Sequence, residues 1–187
     1  MTDKKPELSA AMKSKLEPKV FKKNPIIGTK FTIAISSAKG GVGKSTFATN
    51  LALALKKIGC KVGLLDADLY GPNIHHLMGL DGRCSVRDKG WIPMHSQGVE
   101  VMSIRFVMDE SALVWRGPML SKGLMQLVQQ THWGDLDYLI IDLPPGTGDV
   151  ALTLAQKVPL VGALMVQTPH ALAKADTSKA VEMFQVL

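Results

Sequence analysis

Nine consecutive residues, Ala38-Lys39-Gly40-Gly41-Val42-Gly43-Lys44-Ser45-Thr46, have the types and spacing needed to hold a phosphate chain. Glycines let successive backbone N–H groups curl around a phosphate with no Cβ in the way, and a helix starting at Lys44 would add its positive end. Lys44 supplies a point charge for β and γ phosphates, while the Ser45 hydroxyl is a hard oxygen ligand suited to Mg²⁺. The loop sits between an apolar run and a helical pattern, the context such a loop requires.

Three carboxylates stand where they could complete that chemistry. Val62-Gly63-Leu64-Leu65-Asp66-Ala67-Asp68 ends an apolar run with two, and Tyr138-Leu139-Ile140-Ile141-Asp142 ends another with one. In parallel α/β sheets, ligands bind in the crevice at the carboxyl ends of the strands. Asp142, followed by Leu143-Pro144-Pro145-Gly146-Thr147-Gly148-Asp149, is expected to hold Mg²⁺ through water, with Gly146 approaching the γ phosphate. Asp68 is expected to orient or polarise the attacking water, and Asp66 to support the metal shell.

The elements that must position these groups follow from hydropathy. Nearly continuous apolar runs at Phe31–Ser36, Lys61–Asp66, Val99–Ile104, Tyr138–Asp142 and Leu160–Val166 predict buried parallel strands. Between them Lys44–Ile58, Pro118–Thr131, Asp149–Lys157 and Ala171–Leu187 have helical periodicity. In the first helix, Phe47, Leu51, Ala54, Leu55 and Ile58 are expected to form the face lying on the sheet. Gly82, Gly90, Pro93 and Gly98 break the rhythm and predict a hairpin or surface loop around Val86–Met94. The fold class is therefore α/β, a mostly parallel central sheet with helices on both faces.

Composition narrows the rest. At 187 residues, with 46% apolar and 20% charged side chains, the chain suits one globular domain and excludes disordered, collagenous and coiled-coil classes. Residues 1–30 carry eight lysines against Asp3, Glu7 and Glu17, a net of +5 out of the total +6, so the remainder is nearly neutral. We expect residues 1–26 to be a basic, flexible segment and 27–187 the nucleotide-binding domain. A single aromatic side chain, Phe21, stands among these lysines, so nucleic acid is not an expected partner. No apolar run reaches the roughly 18–20 residues of a membrane span, and the first 30 residues lack a secretory signal, which predicts a cytoplasmic protein without a membrane partner. Cys60 and Cys84 have neither disulfide-scaffold nor CxxC spacing. His75-His76 is not expected to bind metal, because adjacent histidines point to different sides of a helix. Trp91, Trp115 and Trp133 are expected to pack, and Arg116 fits a surface ion pair or an interface contact equally well.

The loop with its early Lys39 resembles the deviant Walker A class, KGGVGKS/T, of the MinD/ParA/nitrogenase iron protein group, with Ala38 where the pattern more often has Gly. That resemblance implies a P-loop NTPase fold of the SIMIBI, MinD-like type and a homodimer in which Lys39 reaches the partner's phosphates. Asp66-Ala67-Asp68-Leu69-Tyr70-Gly71-Pro72-Asn73-Ile74, Val114-Trp115-Arg116-Gly117-Pro118-Met119 and the segment from Asp142 to Asp149 narrow the resemblance to the Mrp/ApbC/NBP35 family of iron–sulfur cluster carriers. Membership would imply an ATP-binding, weakly hydrolysing dimer that hands a 4Fe-4S cluster to apo-proteins alongside cluster-assembly factors. Two other functions fit the nucleotide motifs: a MinD/ParA-type positioning ATPase, and a non-hydrolysing nucleotide-dependent interaction module.

The resemblance also marks a departure. The family holds its cluster on a CxxC pair beyond the position matching Leu187, and places its adenine-contacting Asn there too, so no iron–sulfur ligand is expected among these residues. The last helix carries core-type residues to its end with no Gly cap and no following strand, and the chain is expected to be cut in mid-fold.

Overall fold

The computed structural model describes residues 22–107 and 118–185. Among the described residues eight strands and five helices follow in chain order: β1 (Thr29–Ser36), α1 (Lys44–Lys57), β2 (Val62–Asp66), α2 (Ile74–Leu77), β3 (Val86–Arg87), β4 (Gly90–Trp91), β5 (Met94–Ser96), β6 (Val99–Ser103), α3 (Pro118–Gln130), β7 (Leu136–Asp142), α4 (Asp149–Lys157), β8 (Leu160–Met165) and α5 (Ala171–Gln185). A single 3₁₀ turn, Ile104–Phe106, follows β6.

The main sheet has the order β5-β6-β2-β7-β1-β8. Strands β6, β2, β7, β1 and β8 run parallel, and β5 folds back antiparallel on β6. The expected α/β architecture is therefore present, and every expected long strand and helix that lies in the described residues is found with ends within about two residues. Strand β2 is buried along its whole length, and Ile140, Ile141 and Leu139 of β7 are fully enclosed, as continuously apolar central strands should be. The hairpin expected around Val86–Met94 is the small β3-β4 pair, whose turn places Asp88 and Lys89 at positive φ. Short β5, with its polar His95 and Ser96, had no apolar run to announce it.

One expectation about α1 fails. Its buried residues are Lys44, Ala48, Thr49 and Ala52; Phe47 is 43% and Ile58 76% exposed, and Ala54 is also exposed. Leu51 and Leu55 are only partly buried against the core. The phase of the helix is set by Lys44, whose side chain must enter the sheet end. Residues at i+4 and i+8 from it then face inward, and these are alanines small enough to bring the helix close to the strands.

Ile26 is buried, the Asn24 N–H donates to the Lys157 carbonyl, and Gln129 Nε2 donates to the Asn24 carbonyl, so the chain packs onto the body just before β1. Residues 1–21 of the basic segment, Trp115 and Arg116 with their block, and Leu187 lie outside the described residues. No helix among the described residues is long and apolar enough to cross a membrane.

Candidate functional site

Register brings the expected carboxylates together. Asp66 at the end of β2 stands opposite Asp142 at the end of β7, and Ile35 near the end of β1 is level with Asp142 on the other side. The chain leaves β1 at Ser36 directly into the glycine loop. Gly41 (φ 76°) and Gly43 (φ 92°) take left-handed conformations there, with open space where a Cβ would be. Such a loop presents its amides inward at the start of α1, where the helix dipole adds to them. The Ser37 hydroxyl donates to the Lys39 carbonyl at 2.8 Å and fixes the loop's first turn.

Lys44 turns inward from the first residue of α1. Its ammonium donates to Asp142 Oδ1 at 2.8 Å and lies 3.9 Å from Asp68 Oδ2, with the lysine side chain only 7% exposed. The neighbouring Ser45 hydroxyl, like Lys44, favours the ionised form of Asp142. Its second oxygen, Oδ2, is buried with no partner. An unpartnered buried carboxylate oxygen beside a serine hydroxyl is the donor set a hard divalent cation or its bound water would fill, so the residues present fit Mg²⁺. Burial pushes the Asp142 carboxyl above the usual range despite the opposing pull of Lys44.

Asp66 is fully buried, and its carboxylate is occupied by backbone: Oδ1 accepts from the Asp68 N–H at 3.2 Å, Oδ2 from the Ile74 N–H at 3.1 Å. It thereby ties both ends of the turn that carries Asp68. Burial, followed by the neighbouring Asp142 charge, raises its pKa to about 7. Asp68 is partly exposed, accepts from the Gly71 N–H at 3.3 Å, and borders the open cleft. Gly146, at φ 88°, donates its N–H to the Ser37 carbonyl at 2.7 Å, which closes the segment after β7 onto the loop. Lys39 is exposed and pairs with Asp176 of α5 at 3.1 Å.

These groups surround a cleft of about 380 Å³ lined by Gly40, Gly41, Lys44, Ser45 and Thr46 of the loop and helix start and by Asp68, Asn73 and His76. A second hollow of about 470 Å³, between Tyr70 and Pro144, shares Asp68 and Pro145 with the first. Asn73 and His76 were missed from the sequence as cleft residues; the Gly71-Pro72-Asn73 turn immediately after Asp68 was the available signal, since it returns the chain toward the strand ends. The histidines also correct an expectation: the His75 and His76 ring centroids are 3.9 Å apart, not on different sides. The helix that carries them has only four residues, Ile74–Leu77.

The arrangement can bind a polyphosphate, hold a divalent cation against it, and present a carboxylate to water. Comparison with known proteins decides which family built it. The model of the family described as ParA: NUBPL iron-transfer P-loop NTPase matches residues 28–187. The chain belongs to this iron-transfer P-loop NTPase family. Among its relatives, an iron–sulfur cluster carrier protein of Pseudomonas fragi is 55% identical over 86% of this chain and 57% of its own length. The Escherichia coli K12 protein of that name is 52% identical over 86% of this chain and 44% of itself. The chain thus spans about half the length of the curated relatives it matches. A nucleotide-binding protein from Archaeoglobus fulgidus, solved in complex with ADP, superposes with a TM-score of 0.74 at 43% identity, covering 84% of this chain and 62% of that one. The septum site-determining protein MinD of Pyrococcus horikoshii shares the fold, with a TM-score of 0.63 at 23% identity over 84% of this chain and 65% of that one.

Cys60 and Cys84, the two cysteines of the chain, are separate half-buried thiols, and burial pushes the Cys84 thiol up, away from the thiolate a metal needs. Among the described residues no group of three His, Cys, Asp or Glu could hold a metal ion.

Proposed function

We propose that this chain binds and slowly hydrolyses ATP as a homodimer, and that hydrolysis serves the delivery of 4Fe-4S clusters to apo-proteins. The observation that carries the nucleotide part is the Lys44 ammonium, buried between Asp142 and Asp68 at the mouth of a glycine loop whose amides converge on the same cleft. The cluster part rests on the family and on the names of the relatives.

In this reading the glycine loop amides and Lys44 bind the β and γ phosphates. Mg²⁺, when bound, neutralises phosphate charge, and Ser45 Oγ with Asp142 would hold it. Asp68 orients a water and takes its proton as the water oxygen bonds to the γ-phosphorus. The bond to the bridging oxygen breaks, leaving ADP and inorganic phosphate. Asp66 holds the Asp68 turn in place through its two backbone acceptances. Lys39 leaves Asp176 to meet the phosphates of the partner copy. Gly146, once released from the Ser37 carbonyl, offers its N–H to the γ phosphate. Cluster-assembly factors would load the dimer, and a cytoplasmic location fits that role.

The test is isolation of the protein from its own cells under anaerobic conditions. It is expected to contain iron and acid-labile sulfide, and to restore an apo 4Fe-4S enzyme faster with MgATP than without. Protein free of iron that restores nothing would contradict the carrier reading.

A further inference from the structure

Beside the glycine loop, the cleft is lined by the turn after Asp68 and by α2. The polar side chains there are Asp68, Asn73 and His76. Asp68 is a carboxylate and repels phosphate oxygens. The Asn73 amide gives one of its two N–H groups to the Gly71 carbonyl at 2.8 Å, which ties that side chain to its own turn. His76 is exposed, lines the cleft, and has no hydrogen-bond partner among the described residues.

His76 is also held in place. Its ring rests on that of His75 at a centroid distance of 3.9 Å and 39° between planes. His75 is 6% exposed and meets Phe106 edge-on at 6.4 Å. Burial, then the neighbouring His76 and Arg105 charges, holds the His75 pKa below its ordinary value, so near neutral pH that ring is an uncharged plate. A rigid aromatic support leaves little side-chain entropy to lose when the outer imidazole takes up a ligand.

We propose that His76 is a phosphate-contacting residue of the nucleotide site, donating a hydrogen bond from α2 to an α- or β-phosphate oxygen. The inference rests on the nucleotide-binding reading of the loop. A polyphosphate cradled by the loop amides keeps further oxygens free, and the His76 ring, lining the same cleft, has a nitrogen available to donate to one of them.

The experiment is calorimetric titration of the full chain with MgATP and, separately, with inorganic tripolyphosphate. Wild type, His76→Ala, His76→Gln and Lys44→Ala are compared at a temperature at which each is folded, the two His76 variants being first checked for a melting profile like that of wild type. His76→Ala is expected to weaken both ligands alike, by roughly fivefold to tenfold, the range for one net hydrogen bond. His76→Gln, which keeps a donor, should recover most of that. His76→Ala affinities within twofold of wild type, while Lys44→Ala abolishes binding, would overturn the inference and leave the nucleotide site standing. Loss for ATP but not for tripolyphosphate would overturn it too, since the contact would then be to the nucleoside. A wild-type chain that takes up neither ligand would overturn the nucleotide reading and this inference with it.

Discussion

The Lys39 ammonium lies 3.1 Å from the Asp176 carboxylate, joining the glycine loop to α5 across a half-exposed surface. The early lysine, proposed to serve a partner's phosphates, is thus paired within its own chain. An exposed pair of this kind contributes at most about 1 kcal/mol. Asp176→Asn should therefore leave urea unfolding almost unchanged, and a loss of several kcal/mol would show that α5 is anchored through this contact.

Lys44 has a different standing, because its partner Asp142 is fully buried. Removing one member of a buried pair leaves an uncompensated charge and costs about 3 kcal/mol or more. Lys44→Met is expected to destabilise the chain by that order, and the double variant Lys44→Met/Asp142→Asn to recover a large part. Chemical denaturation checks this; a double variant no more stable than the single one would mean the pair is not the source of the loss.

Asp66 gives the chain a pH dependence of definite sign. Its folded pKa of about 7 lies above the ordinary 3.8, so between those values the folded state holds a proton the unfolded state has released. Stability is then fully present below about pH 4 as far as this group is concerned, and is lost as pH rises through about 7. Asp142, also raised, acts in the same direction. Without Mg²⁺ or nucleotide, unfolding free energy should carry this downward contribution across that window, and Asp66→Asn should flatten the profile. Parallel profiles for the two proteins would contradict the assignment.

Two left-handed glycines outside the site test how backbone and packing divide. At Gly59 (φ 96°) an added Cβ would meet nothing within 4 Å, whereas at Gly28 (φ 79°) it would lie 2.5 Å from the Gly134 carbonyl oxygen. Gly59→Ala should cost about 1–2 kcal/mol, from backbone conformation alone. Gly28→Ala adds a clash with main chain that cannot rotate away, and should cost clearly more. Equal melting temperatures for the two variants would argue against the tight seam between Gly28 and Gly134.

Much of this molecule could be read from its residues for a physical reason. Central parallel strands such as β2 and β7 are buried on both faces, so their apolar runs are continuous and end sharply at Asp66 and Asp142. The loop at Lys39–Thr46 is legible because backbone chemistry demands glycine there. What escaped reading depends on partners far along the chain. The inward face of α1 was misjudged because hydrophobicity pointed to Phe47 and Ile58, while the burial of Lys44 set the phase. Asp66 was expected near the metal, yet its oxygens accept the Asp68 and Ile74 N–H groups, which depends on the path of a turn. The His75–His76 stack needed Phe106, and the Lys39 pair needed Asp176; no local pattern encodes either.

The central claim is that these residues form a nucleotide-hydrolysing site, and the most direct measurement is steady-state phosphate release from MgATP by wild type, Lys39→Ala and Asp68→Ala at concentrations favouring dimers. Slow but measurable turnover is expected in the wild type, reduced at least about tenfold in each variant, in line with the loss of a charged phosphate contact or a general base, with ATP binding retained in both. Equal, negligible rates in all three proteins would contradict it.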